Sequence, residues 1–168
     1  MSLIYGEFKF KSLEYLIHYK MIFIKQLNEI DIDACYELDL NTISLWSKKQ
    51  WANEFKKEGA KVFGISHANS IIGICVFQVV LDEAQLNYFV VNPKYREKGL
   101  GSYLMNYLIK ECEKLNVKKL FLEVYKRNVI AEKFYTRFKF FTVGIRRNYY
   151  KDGSDALLKE KFLTTKKF

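Results

Sequence analysis

The sequence has little of what marks several large protein classes. One proline and eight glycines in 168 residues exclude collagen-like and Pro/Gly-rich chains. Cys35, Cys75 and Cys112 are odd in number and far apart, with no CxxC pair. Neither a zinc site nor a disulfide framework is expected from them, and they read as small buried hydrophobes. His18 and His67 stand isolated, without the neighbours that metal or triad chemistry needs. No stretch reaches the ~18 apolar residues of a membrane span. Residues 1–20, with Glu7, Glu14 and scattered lysines, lack the continuous apolar run of a signal peptide. The cytosol is the expected location, and no metal is expected.

What is present suits one globular domain. Hydrophobic residues make up 49% and aromatic residues 17%, enough for a core without disulfides or a structural metal and too much for a disordered chain. The net charge of +9 suggests an anionic partner: nucleic acid, a membrane surface or a phosphorylated ligand. It is unevenly spread. Residues 1–92 hold 9 basic and 11 acidic side chains, and residues 93–168 hold 19 and 8, so the halves are expected to meet different partners.

Patterning gives an order β-α-α-β-β-β-α-β-α-β-β. A first strand is expected at 21–27 and an acidic helix at 29–43, with Ile30, Ala34, Leu38 and Ile32, Cys35 at helical spacings. A second helix at 47–58 ends at Gly59. Three β-rich runs follow, Lys61–His67, Ile71–Leu81 and Ala84–Val91, as an antiparallel meander. A helix is predicted at 100–115, with Leu104, Leu108, Cys112 and Leu115 as its apolar stripe. Then come a strand at Lys118–Tyr125, a short helix at 129–137, and a hairpin of 139–148 with 155–163 across Lys151-Asp152-Gly153-Ser154. A meander mixed with β-α-β crossovers implies an α+β fold with a mixed α/β sheet. Residues 21–163 are expected to form the domain, with 1–20 an extension of uncertain origin and 164–168 a basic tail.

The most informative stretch is Val90-Val91-Asn92-Pro93-Lys94-Tyr95-Arg96-Glu97-Lys98-Gly99-Leu100-Gly101-Ser102. A strand runs into a basic, glycine-containing loop and a helix begins directly after it. Backbone N–H groups at a helix start converge on one spot where the helix dipole favours an anion, and glycine lets a phosphate approach the backbone. No Gly-Lys-Ser/Thr follows, so this is not a Walker A loop. Leu104 stands where the dinucleotide fingerprint needs its third glycine.

With Arg96, Gly99 and Gly101 in place, the loop resembles the Arg/Gln-x-x-Gly-x-Gly/Ala pyrophosphate loop of the GCN5-related N-acetyltransferases. Downstream, Leu122-Glu123-Val124, Asn128, Ala131, Phe134-Tyr135, Arg146-Arg147-Asn148-Tyr149-Tyr150 and Asp152-Gly153-x-Asp155-Ala156 are similar in order and spacing to the RimI-type ribosomal-protein N-terminal alanine acetyltransferases. The likeness covers about residues 21–163. It implies that family's acyltransferase fold, a mostly antiparallel twisted sheet flanked by helices, and acetyl transfer from acetyl-CoA to a protein N-terminal amine by direct attack in a ternary complex. It implies Glu123 as general base and Tyr135 as the acid that protonates the leaving thiolate. Phe89, Val90 and Val91 would line the thioester and pantetheine through their backbone. Arg96, Glu97, Lys98, Gly99, Leu100, Gly101 and Ser102 would cradle the pyrophosphate, and Asn128 would bond the pantetheine arm. The implied acceptor is a ribosomal-protein tail, with no DNA partner, no membrane and a monomeric enzyme.

Some residues depart from the resemblance. Phe138-Lys139-Phe140 replaces the usual Leu-Gly-Phe, Tyr125 stands where arginine is common, and Lys151 replaces a frequent proline. Two other readings stay open: acetylation of a lysine side chain or small amine, and a non-catalytic ribosome- or RNA-binding module. Glu29, Asp31, Asp33, Glu37 and Asp39 would favour a basic tail if the first helix borders the acceptor groove. Trp46 or Trp51 would line that groove.

Overall fold

The computed structural model describes residues 22–164. The expected extension at 1–20, the strand start at Met21 and His18 lie outside the described residues, as does most of the expected tail. Seven strands form one sheet: β1 (Phe23–Gln26), β2 (Ala60–His67), β3 (Ser70–Val80), β4 (Glu83–Val91), β5 (Lys119–Tyr125), β6 (Phe141–Arg146) and β7 (Ala156–Phe162). Their spatial order is β1-β2-β3-β4-β5-β7-β6. Every neighbouring pair is antiparallel except β4–β5, which is parallel. Among the described residues four α-helices flank the sheet: α1 (Ile32–Leu40), α2 (Lys48–Lys56), α3 (Leu100–Lys114) and α4 (Val129–Arg137). The mixed, mostly antiparallel sheet with flanking helices is the architecture the patterning predicts.

Helix ends follow local chemistry. A capping box of Asn28 and Asp31 starts a 3-10 turn, Glu29–Asp31, that leads into α1. Ser47 and Gln50 form a second box at α2. The expected helix at 29–43 is therefore a 3-10 turn plus a shorter α-helix. Its Ile30 is solvent-exposed rather than buried, while Cys35 and Leu38 carry the packing face. On α3, Leu104, Leu108 and Cys112 are buried as expected, joined by Leu100 and Met105, but Leu115 is exposed because the helix has ended there.

The core has two compartments, one on each face of the sheet. Leu120, Leu122, Val124 and Leu157 join β2–β4 side chains beneath α3 and α4. Leu27, Val62, Ile74, Val76, Tyr88 and Val90 pack with Cys35, Leu38 and Trp51 from α1 and α2. No β5, β6 or β7 residue joins this second compartment, so among the described residues that face of the β5–β7–β6 half has no helix over it. Burial pushes the Cys35 and Cys112 thiols up to about 12 and raises that of Cys75. All three are free and buried, as expected for small hydrophobes rather than reactive thiols. No described helix is long and apolar enough to cross a membrane.

Candidate active site

One inserted residue creates the site. Val76 pairs with Tyr88 and Phe77 with Leu86, leaving Asn87 as an extra residue in β4. In a regular strand residues 84, 86, 88 and 90 would share a face. Here Ala84 and Leu86 lie in the α3/α4 compartment, whereas Tyr88 and Val90 lie under α1 and α2. The bulge exchanges the faces and bends the strand. Parallel pairing with β5 stops at the same point, since Glu83–Leu86 pair with Lys119–Leu122 and nothing beyond does. The last residues of β4 and of β5 therefore part, and an opening lies between them.

Glu123 stands at the edge of this opening. Leu122 and Val124 are buried in the α3/α4 compartment, which puts Glu123 on the opposite face. Its carboxylate accepts from Arg146 Nη1 at 3.0 Å. It also hydrogen-bonds the Tyr149 hydroxyl, a contact that leads the upward shift of that phenol. Arg146 lies over the Tyr149 ring at 5.4 Å. The β6–β7 turn that brings these residues in is tied down by Tyr125, whose hydroxyl donates to Asp152 Oδ2 at 2.6 Å and lies 3.0 Å from Ser154 Oγ. Lys126 adds an ion pair to Asp155 at 3.1 Å. Tyr125 departs from the family's arginine yet serves as an anchor for this turn.

Tyr135 lies in the α3/α4 compartment, on the other face of the sheet. Its ring meets Phe89 at 6.5 Å and Phe140 at 5.8 Å. Burial, with a contribution from Tyr150, raises its pKa and keeps the phenol protonated. The turn after α4 fixes it. Phe140 N–H donates to the Tyr135 carbonyl and Lys139 N–H to the Thr136 carbonyl, at 3.1 and 2.9 Å, the two bonds of a Schellman motif. Lys139 takes φ +66°, so the lysine adopts the left-handed conformation that the usual glycine would supply.

The opening's other wall is the start of α3. Gly99 is its N-cap, at φ +80° and with no side chain to cap the helix. The first N–H groups of α3 thus lack the carbonyls that an earlier turn would provide. Glu97 is also left-handed, at φ +59°, which folds the loop back on itself. Gly101 points elsewhere: a Cβ there would lie 3.5 Å from Phe134 Cε2, an ordinary contact. That glycine borders the α3–α4 packing rather than the loop's concavity. Arg96 is spent on the scaffold, donating from Nε to the Val91 carbonyl at 3.0 Å. Asn128 caps α4 through Oδ1, which accepts from Ala131 N–H at 3.0 Å.

Sequence reasoning missed two features. His67 ends β2 rather than standing free in a turn, and its Nδ1 lies 3.3 Å from the Tyr95 hydroxyl, bracing the loop before α3. Asp39, expected on an acidic surface, is wholly buried. Its carboxylate accepts from Leu45 N–H, Trp46 N–H, Tyr88 Oη and Trp51 Nε1 at 2.8–3.3 Å. Asp31 and Asp33 are paired with Lys25 and Lys48. The first helix therefore offers less free negative charge than its composition suggests. Trp51 is core, leaving half-buried Trp46 beside Tyr88 at 4.9 Å.

This geometry agrees with a match of residues 25–140 to the family model described as the acetyltransferase (GNAT) family. The chain belongs to the GNAT family of acetyltransferases. It is 36% identical over 139 residues to the ribosomal protein bS18-alanine N-acetyltransferase of Escherichia coli K12, covering 80% of this chain and 93% of that one. The crystal structure of the ribosomal-protein-S18-alanine N-acetyltransferase from E. coli superposes with a TM-score of 0.80 at 34% identity, over 86% and 95% of the two chains. The same fold is seen at 16% identity and a TM-score of 0.75 in Arabidopsis thaliana NAA60 solved with acetyl-CoA, over 84% and 98%.

Proposed function

We propose that this GNAT chain moves the acetyl group of acetyl-CoA to the N-terminal α-amino group of a protein, with a ribosomal protein beginning in alanine as the acceptor. The observation that carries the reading is the division of labour across the opening. A carboxylate, Glu123, faces one side of the sheet, and a protonated phenol, Tyr135, lies on the other. The names of the relatives above point to the same acceptor. Residues 21–163 form the catalytic unit in this reading.

The residues suit the donor. The uncapped α3 start with its glycine N-cap fits a pyrophosphate, supported by Lys98 and by the backbone of Glu97, Leu100, Gly101 and Ser102. Arg96 acts by holding the loop to the end of β4. The amide group of Asn128 has its nitrogen left for the pantetheine arm. Acetyl-CoA supplies the activated acetyl thioester when bound. A free α-amino group has a pKa of about 8, so Glu123 has only one modest proton to remove, directly or through water. For this the acceptor's ammonium takes over the place that Arg146 holds beside the carboxylate. Backbone N–H groups of Phe89–Val91, a stretch paired with β3 but not with β5, donate to the developing oxyanion from the side that faces the opening. Tyr135 donates its proton towards the departing sulfur.

The test compares wild type, Glu123→Gln and Tyr135→Phe on an N-terminal alanine peptide, an internal lysine peptide and a polyamine. Each substitution should lower turnover of the alanine peptide by about 10²–10³-fold, with acetyl-CoA still raising Tm. Full activity of both variants, or a preference for lysine or polyamine, refutes the reading.

A further inference from the structure

The face of the sheet that carries Glu123 continues as a floor with no helix over it among the described residues, and its register places one carboxylate in an aromatic row. Glu160 on β7 pairs with Phe121 on β5 and with Phe141 on β6. Residues directly opposite each other share a face. Between β5 and β7 no register shift separates this row from the next, where Glu123 pairs with Leu158; on β6 the bulge at Val143 falls between the two rows. The row therefore lies two strand residues, about 7 Å, from Glu123. Phe162, one row further, stacks on Phe141 at 5.8 Å and carries Lys119 over its outer ring at 5.6 Å. Phe141 and Phe162 are about half exposed.

Charge and place in the sheet together point to Glu160. Of the acidic residues expected to meet a basic acceptor, Asp39 is buried and Asp31 and Asp33 are ion-paired, while Glu29 and Glu37 are exposed without an ion pair among the described residues but lie at the first helix rather than on the open face. Glu123 itself is paired with Arg146. Glu160 has no lysine or arginine within ion-pair distance among the described residues, although it is half-buried in a row whose strand neighbours are phenylalanines. A carboxylate beside aromatic rings holds an ammonium or guanidinium by charge and by cation–π attraction together.

Resting on the activity proposed above, we infer that the row Phe121–Glu160–Phe141, with Phe162, is a subsite for a lysine or arginine side chain of the acceptor, within its first few residues. The first helix, with Asp31, Asp33 and Asp39 engaged, is then not the main source of selectivity for basic tails. The floor beside the reacting carboxylate is. Continuity with Glu123 argues for the acceptor as its occupant rather than an unrelated partner.

The test uses the full chain at saturating acetyl-CoA and two alanine-initiated peptides, one with lysine and one with norleucine at residues 3 and 4. Wild type should show a KM about five- to tenfold lower for the lysine peptide. Glu160→Gln should erase that difference with kcat unchanged on both peptides, and Phe141→Leu should reduce it. Equal KM values in wild type, or a preference that survives Glu160→Gln, overturn the subsite while leaving the acetylation reading intact. Turnover of neither peptide overturns that reading and the subsite with it. Removal of residues 1–21 that frees the floor and creates the preference anew, or a dimer dissociated by Phe141→Asp, assigns the face to another occupant and also overturns it.

Discussion

The two halves of this sheet are built for different purposes. The β1–β4 half is covered on both faces, by α1 and α2 on one side and α3 on the other. Among the described residues the β5–β7–β6 half is covered on one face only, by α4. In the covered half most buried polar groups are satisfied internally, Glu54 Oε2 on α2 being the exception among the described residues. Asp39 is the clearest case, a buried carboxylate with four hydrogen-bond donors and no cation among them. In the open half the carboxylate of Glu123 is held by an exposed arginine and an exposed tyrosine, partners that can leave without unfolding anything. The same chemical group is a fastener in one half and an exchangeable reactive group in the other.

The sharpest way to break that contrast is to remove each carboxylate and measure both stability and turnover. Asp39→Ala leaves two backbone N–H groups, the Tyr88 hydroxyl and the Trp51 indole unpaired. It should cost about 3–5 kcal/mol, or roughly 6–20 °C in Tm for a chain of this size. Glu123→Gln should stay within about 0.5 kcal/mol of wild type in denaturant unfolding while turnover collapses. Equal destabilisation of the two variants would erase the distinction between the halves.

Much of this division was legible in the sequence, and the reasons for the rest are physical. Alternating Leu122, Glu123 and Val124 announce a strand with the carboxylate on its own face, and the structure agrees. The glycine loop before α3 and the order of elements are equally readable, because caps, turns and periodicity are local. The insertion of β7 between β5 and β6 is not local, and neither is the bulge at Asn87, since both depend on what the neighbouring strand does. Asp39 shows the limit most plainly. Its place in the acidic run Asp31, Asp33, Glu37, Asp39 suggests a solvated face, yet four donors from distant positions decide otherwise. His67 likewise has no local signal pointing to Tyr95.

A smaller effect is expected where the halves are bridged by the loop before α3. Gly99→Ala forces a Cβ onto a left-handed N-cap, at a cost of about 1 kcal/mol, and so strains the loop that presents the converging N–H groups. The Kd for acetyl-CoA should rise about tenfold, measured by calorimetry, with kcat at saturation little changed. An unaltered Kd would mean that the loop does not hold the donor's phosphates.

Lys139 offers a test in the opposite direction. At φ +66° it closes the Schellman motif that fixes Tyr135, in a conformation that disfavours any side chain. Lys139→Gly should stabilise the protein by about 0.5–1 kcal/mol after the added freedom of the unfolded chain is counted. The gain belongs to the open half alone, so turnover should be unchanged and Tm should rise by about 1–4 °C. A lower Tm would show that the lysine side chain contributes something the turn geometry does not reveal.

The smallest effect is expected at the seam itself. Gly101 lies where α3, which roofs the covered half, touches α4, which roofs the open one. A Cβ added there would meet Phe134 at 3.5 Å without displacing it, and alanine is the better helix former. Gly101→Ala should therefore be neutral or raise stability by up to about 0.5 kcal/mol, with Kd for acetyl-CoA within twofold of wild type. The neighbouring Gly99 should be intolerant, although both glycines belong to the same short motif, because Gly99, unlike Gly101, has a positive φ. If Gly101→Ala instead weakens acetyl-CoA binding as much as Gly99→Ala does, the seam must shift when the donor binds, and the two halves would be coupled through Phe134 rather than independent.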